Sequence, residues 1–231
     1  MQYAFARQNA TQPQGGTSPT ALSEPPHLTV AAATLRDVDH ASANPPAELM
    51  DRLEDFFASA HFKDCAAVTA KALSHFDQSP FLWDLLGQSH LKLANWDAAQ
   101  TCLNKAHQLA PATPAPLAGL AEVCLARQLQ QEAEIFFRKA LATDEKNLRA
   151  LTGLARLLLD TGRGQDARIW AQKAHAVAPE DVIVNFDLGN VLRICGDREA
   201  AVLAYARAVQ LAPDQPAPRY NLAQMLATSG R

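Results

Sequence analysis

The small and apolar residues of this chain recur at a fixed spacing of 34 positions. One column of alanines begins at Ala72, and a second column of small residues lies seven positions before it. The two columns are Ala72, Ala106, Ala140, Ala174 and Ala208, and Cys65, Ala99, Ala133, Ala167 and Ala201. Positions seven apart share one face of a helix, and small residues there let neighbouring helices approach closely. The spacing therefore predicts two short packed helices in every repeating unit.

Proline and glycine mark the ends of these units. Pro80, Pro114 and Pro216 begin units, where proline fits a first helical turn. Gly162 and Gly196 fall between the two helices of a unit, where glycine easily adopts a left-handed turn. The predicted units are 46–79, 80–113, 114–147, 148–181, 182–215 and an incomplete 216–231.

The first 45 residues have a different composition. Six of the 14 prolines lie in the first 46 residues, beside a stretch rich in Gln, Thr, Ser and Gly that has few large apolar side chains. Such a segment cannot bury enough apolar surface to fold, so we expect residues 1–45 to form a largely disordered leader. Helical spacing of apolar residues within it leaves open a short cap helix over 28–41.

The charge balance argues against two classes of partner. The 231-residue chain carries 21 Lys and Arg against 24 Asp and Glu, a net charge of −3, and is 48% hydrophobic. A weakly acidic chain offers no surface for nucleic acid or for an anionic membrane. It also has no apolar run of membrane-spanning length and no secretory signal at its start, so we expect a cytoplasmic protein.

The unit beginning at Pro80 carries a recognisable family pattern. The matching residues are Trp83, Leu86-Gly87, His90, Ala99, Leu103, Ala106 and Pro111. This pattern resembles the tetratricopeptide (TPR) repeat, and the resemblance covers residues 46–231. It implies an all-α fold, a right-handed α-solenoid of helix-turn-helix repeats. It also implies a concave groove, lined mainly by the first helix of each unit, that binds a protein or peptide partner.

The sequence contains no recognisable catalytic or metal-binding motif. The four cysteines form no C-x-x-C pair, and the seven histidines show no metal-ligand spacing. A Gly-x-Gly-x-x-Ala string at 162–167 follows a predicted helix instead of a strand, which disfavours dinucleotide binding. We therefore predict no cofactor, no metal and no catalysis within this segment.

The expected groove is chemically uneven. Its first three units are mildly acidic and apolar, whereas units four to six supply three arginines, two asparagines and two aromatic residues. These are Arg149, Arg156, Arg193, Asn190, Asn221, Phe186 and Tyr220. One hypothesis is that the arginines bind an acidic partner segment, the asparagines its backbone, and the aromatic residues its side chains. The alternative is a solvated face whose arginines pair locally with Asp160 and Asp187.

The last unit ends before a second helix, so we expect a longer polypeptide that continues beyond Arg231. The final repeats resemble the TPR arrays that precede catalytic domains in O-linked N-acetylglucosamine transferases and bacterial TPR-containing sulfotransferases. Asn221 matches the asparagine ladder of the transferases, and Asp187 does not. Two functions follow: a free-standing interaction scaffold, or the substrate-recruiting arm of such an enzyme.

Overall fold

The computed structural model describes residues 45–227, and these form eleven α-helices without a strand. The expected leader and its cap helix at 28–41 lie outside the described residues. The helices are α1 (Ala47–Ala58), α2 (Phe62–Leu73), α3 (Pro80–Lys92), α4 (Trp96–Leu109), α5 (Ala115–Ala126), α6 (Gln130–Thr143), α7 (Leu148–Asp160), α8 (Gly164–Val177), α9 (Val182–Ile194), α10 (Arg198–Leu211) and α11 (Pro216–Ala227). In this part of the chain no helix combines the length and the apolar character needed to cross a membrane.

The helices stack in chain order. Each odd-numbered helix packs on the even-numbered helix that follows it, and that helix packs on the next odd-numbered one. Successive odd-numbered helices from α3 to α9 also contact one another, whereas within residues 45–227 no comparable contact joins successive even-numbered helices. The odd-numbered helices, here called inner helices, therefore lie closer together than the even-numbered outer helices. The predicted all-α helical-repeat fold is confirmed.

Small residues allow this close stacking. Ala99, Ala133 and Ala140 are completely buried between helices. At Gly189 of α9, an added Cβ would lie only 2.6 Å from the ring of Tyr205 on α10, so a hydrogen is all that this position accommodates. Close packing of this kind is necessary because helices of about a dozen residues are marginal in isolation.

Polar side chains fix where three inner helices begin. The side chains of Ser79, Asn147 and Asp181 accept hydrogen bonds from the backbone N–H three residues later, at the starts of α3, α7 and α9. Each bond satisfies one of the donors that a helix start leaves without an intrahelical partner.

The turns inside the units share one backbone conformation whether or not glycine is present. Gly162 and Gly196 have φ values of +77° and +82°, as expected for left-handed turns. Ala60, Ala94 and Gln128 occupy the same place in the first three units with φ values of 60°, 58° and 63°. A side chain in this conformation costs roughly 1–2 kcal/mol, so packing of the flanking helices imposes the turn there.

Candidate functional site

An open cleft lies on the inner face between α7 and α9. Its volume is about 590 Å³. The cleft is lined by Ala155, Arg156, Leu159, Asp160, Phe186, Asp187, Asn190, Val191, Arg193 and Ile194. Four of the seven predicted groove residues are therefore brought together here, namely Arg156, Phe186, Asn190 and Arg193. Apolar side chains lie beside charged and amide groups, a mixture that is common in ligand-binding clefts.

Arg156 forms an ion pair with Asp187, which lines the same cleft. Its Nε lies 2.7 Å from Oδ2 of Asp187, which is buried, while about half of the Arg156 side chain is exposed. Burial raises the pKa of Asp187, and the charge and hydrogen bond of Arg156 only partly oppose this. This is one of the two local pairs that the alternative interpretation of the sequence expected. Asp160, the other acid, lines the cleft but forms no ion pair with a described residue.

Arg193 differs from the other two groove arginines. Its side chain is exposed at the edge of the cleft, one helical turn beyond Asn190, and it forms no ion pair with any described residue. Of the three arginines that the sequence analysis selected, Arg193 therefore has its charge available to a ligand.

Arg149 lies outside the cleft and is already paired. Its Nε and Nη2 donate to the two carboxylate oxygens of Glu122 on α5, at 2.5 and 2.7 Å. Burial acts to lower the pKa of Arg149, but the hydrogen bonds and charge of Glu122, with a contribution from Asp84, outweigh it and raise the pKa. A two-bond arginine–carboxylate pair leaves little charge for a partner, so Arg149 joins α5 to α7 instead.

Two asparagines of neighbouring inner helices contact each other. Oδ1 of Asn190 on α9 accepts hydrogen bonds from Nδ2 of Asn221 on α11, at 3.1 Å, and from the hydroxyl of Tyr205, at 2.8 Å. Nδ2 of Asn190 and Oδ1 of Asn221 make no hydrogen bond to the described residues. The pair thus offers one donor and one acceptor side by side.

Tyr205 is a positioning residue that the sequence analysis missed. It is completely buried, yet its hydroxyl reaches Asn190 in the groove. The available signal was a tyrosine in a repeat column that holds Leu103 and Phe137 in earlier units. A tyrosine at a buried, mostly apolar position is most stable when its hydroxyl group forms a hydrogen bond.

The two predicted aromatic residues have different environments. Phe186 forms part of the cleft wall, half-buried, with its ring centroid 6.0 Å from that of Tyr205. Tyr220 on α11 does not line the cleft, and 67% of it is exposed. Phe186 is therefore supported by packing, whereas Tyr220 is a surface side chain near the Asn221 end of the groove.

Asp84 adds a partly buried carboxylate farther along the inner face. Nε2 of Gln88 donates to its Oδ2 at 2.5 Å, while its Oδ1 is buried without a hydrogen-bond partner among the described residues. Burial raises the pKa of Asp84, opposed by the Gln88 hydrogen bond and by the charge of Arg149. Within residues 45–227, no group of three or more His, Cys, Asp or Glu side chains is placed to hold a metal ion.

Asp84→Asn is expected to raise stability at pH 7. A carboxyl whose pKa is raised in the folded state binds its proton more strongly there, so its charged form costs stability above that pKa. The advantage of the amide should shrink as the pH falls through the raised pKa towards the ordinary value of 3.8. Urea unfolding of both proteins between pH 4 and 8 measures this.

The exposed Asp214, which follows α10, provides the matched control. Asp214→Asn should shift the unfolding midpoint little at every pH, because its charge remains in water. An Asp84→Asn protein less stable than the parent at pH 7 would contradict the expectation.

Known structures share this fold. A thermophilic TPR protein from Thermus thermophilus matches with a TM-score of 0.67 and 16% identity, over 77% of this chain and 97% of its own. Pseudomonas aeruginosa pilF matches with a TM-score of 0.62 and 26% identity, over 66% of this chain and 70% of its own. YrrB, described as a TPR protein with an unusual peptide-binding site, matches with a TM-score of 0.54 and 14% identity, over 82% of this chain and 97% of its own.

The sequence comparisons identify the repeat itself. No curated protein is a significant match to the chain. The resemblance of the last repeats to the arrays of glycosyltransferases and sulfotransferases therefore gains no support. Family models for the tetratricopeptide repeat match residues 85–147 and 131–184, and a TPR repeat model matches 172–230. Together these matches span more than half of the chain, which therefore belongs to the tetratricopeptide repeat family.

Proposed function

We propose that this chain is an interaction scaffold without catalytic activity of its own, and that it binds an extended peptide segment of a partner protein along α7, α9 and α11. TPR repeats generally mediate protein–protein interaction, and the structural neighbour YrrB is described as having a peptide-binding site. The observation that carries the proposal is the contact between Asn190 and Asn221, because it presents a donor and an acceptor on adjacent inner helices.

A peptide backbone is the natural complement of this amide pair. An extended segment exposes N–H and C=O groups in alternation, and these require one acceptor and one donor in return. Nδ2 of Asn190 would donate to a ligand carbonyl, and Oδ1 of Asn221 would accept from a ligand N–H. The hydroxyl of Tyr205 fixes the orientation of Asn190, so little side-chain freedom is lost on binding.

The cleft beside this pair favours a ligand with one acidic side chain. Arg156 is neutralised by Asp187, and Asp160 adds a negative charge, so a general attraction for acidic peptides is not expected. Arg193 has no such partner among the described residues. We therefore assign the acidic contact to Arg193 alone and an apolar contact to Phe186, instead of a three-arginine site.

The test uses labelled decapeptides, acidic and neutral, first screened on an array and then titrated by fluorescence anisotropy. Asn190→Ala should weaken every bound peptide about tenfold, since it removes a backbone contact common to all of them. Arg193→Glu should weaken acidic peptides about tenfold or more and neutral peptides little. Arg156 is left intact because its removal would leave Asp187 buried without its partner.

Asn104→Ala on the exposed surface of α4 serves as the matched control and should bind like the parent. Two results would refute the groove: an array without saturable binding, or peptides that bind equally to the parent, Asn190→Ala and Arg193→Glu proteins.

A further inference from the structure

A second cleft lies on the opposite, outer face, between α8 and α10. Its volume is about 550 Å³. Leu188 and Leu192 of α9 form its apolar floor, and Arg168 and Arg207 lie on its two sides. Arg168 pairs with Asp197 and Arg207 with Glu180, so the charges around the cleft are balanced.

The repeat provides an internal comparison for this cleft. The equivalent cleft between α6 and α8 is much smaller, about 210 Å³, and is lined by Trp170. The residue 34 positions after Trp170 is Ala204, so the larger cleft has a methyl group where the smaller one has an indole. Arg138 and Lys173 lie against the Trp170 ring, at 5.8 and 4.5 Å from its centroid. Arg207 is the repeat equivalent of Lys173 and lines the larger cleft.

Two positions that are apolar in the preceding unit are polar at this cleft. Asn185 is the repeat equivalent of Leu151, and His175 is the repeat equivalent of Leu141. Both polar residues line the larger cleft. Neither Oδ1 of Asn185 nor Nδ1 of His175 has a hydrogen-bond partner among the described residues, although both atoms are buried.

The orientation of the Asn185 amide is determined by its other end. Its Nδ2 donates to the carbonyl oxygens of Pro179 and Asp181, at 2.8 and 2.7 Å. Turning the amide would place its oxygen against those two acceptors, so Oδ1 remains the atom without a partner. Asn185 is only 1% exposed. Buried acceptors are normally satisfied, so Oδ1 is available to a donor group that enters the cleft.

We propose that this cleft binds the tryptophan side chain of a partner protein. The indole would lie where the Trp170 ring lies one repeat earlier, over Leu188 and Leu192 and beside Arg207. Its N–H would donate to Oδ1 of Asn185. Leu203, which lines the cleft, is 71% exposed, and an exposed apolar side chain at this place favours a protein segment over an isolated small molecule.

Binding of N-acetyl-5-fluorotryptophanamide, followed by ¹⁹F NMR, tests the proposal. We expect saturable binding that Ala204→Trp abolishes, because the introduced indole fills the cleft as Trp170 does in the previous unit. Asn185→Leu, which restores the residue of the previous unit, should weaken binding about tenfold, as should methylation of the ligand's indole nitrogen. Circular dichroism melting verifies that both variants fold.

Two further measurements distinguish this site from the inner groove and from nonspecific indole binding. Asn190→Ala in the inner groove should leave binding of the tryptophan ligand to the outer cleft unchanged. A failure of the outer cleft to bind indole can therefore be distinguished from a failure of the inner groove to bind peptides. A pentapeptide with a central tryptophan should bind more tightly than free indole. The proposal is overturned if no ligand saturates, if Ala204→Trp still binds, or if indole binds as tightly as the peptide.

Discussion

Replacing Phe137 with alanine is expected to lower the free energy of unfolding by about 3–5 kcal/mol. Phe137 on α6 is completely buried, and its ring packs directly against the backbone of Gly153 on α7. Truncation removes a large apolar group and leaves a cavity that the short neighbouring helices cannot close without losing other contacts. Because each helix contacts only its near neighbours in the stack, the lost packing weakens both the third unit and its junction with the fourth.

Urea unfolding followed by circular dichroism measures the loss. Ile135→Ala is the matched control, since Ile135 is on the same helix and is 53% exposed. It should change stability by about 0.5 kcal/mol or less. A Phe137→Ala protein that lost no more than this control would show that α6 does not pack on α7 in this register.

Gly189→Ala is expected to cost about 1–3 kcal/mol and to weaken the proposed peptide groove as well. The new Cβ would lie 2.6 Å from two carbons of the Tyr205 ring, so the ring or the backbone of α9 must move. The hydroxyl of Tyr205 orients Asn190, and the same movement therefore disturbs the amide pair. Urea unfolding gives the first effect, and anisotropy titration of a peptide selected on the array gives the second.

Gly164→Ala is the control for this substitution. Its added Cβ would meet no atom closer than 3.5 Å, to Sγ of Cys195, which is ordinary contact. Alanine is also the better helix former, so stability should stay level or rise slightly. Equal effects of the two alanines would mean that Tyr205 yields freely and is not a positioning residue.

Much of the architecture was predictable because the repeat presents each packing rule several times. A single buried alanine such as Ala140 has little diagnostic value, but five alanines at one constant spacing require equivalent helix contacts. The pattern was less informative where packing overrides local preference. Ala60, Ala94 and Gln128 adopt left-handed turns that their side chains disfavour, because the helices on both sides leave no other path.

The sequence indicated which residues lie on the groove face, but it did not indicate which of them form ion pairs. The spacing of Arg156, Asn190 and Arg193 on inner helices could be read from the repeat. Which arginine is available depends on partners that lie on neighbouring inner helices. Arg149 pairs with Glu122 and Arg156 pairs with Asp187, whereas Arg193 forms no ion pair with any described residue.

The sequence by itself determined the all-α repeat, because small residues and turn formers act through local geometry and recur at a fixed period. Only the tertiary structure decided where the clefts lie and which polar atoms are unsatisfied. The outer cleft arises because Asn185, His175 and Ala204, from three different helices, meet at one junction. The size of a cavity depends on the combined volumes of side chains that are distant in sequence. The 34-residue period of the sequence does not reveal that combined volume.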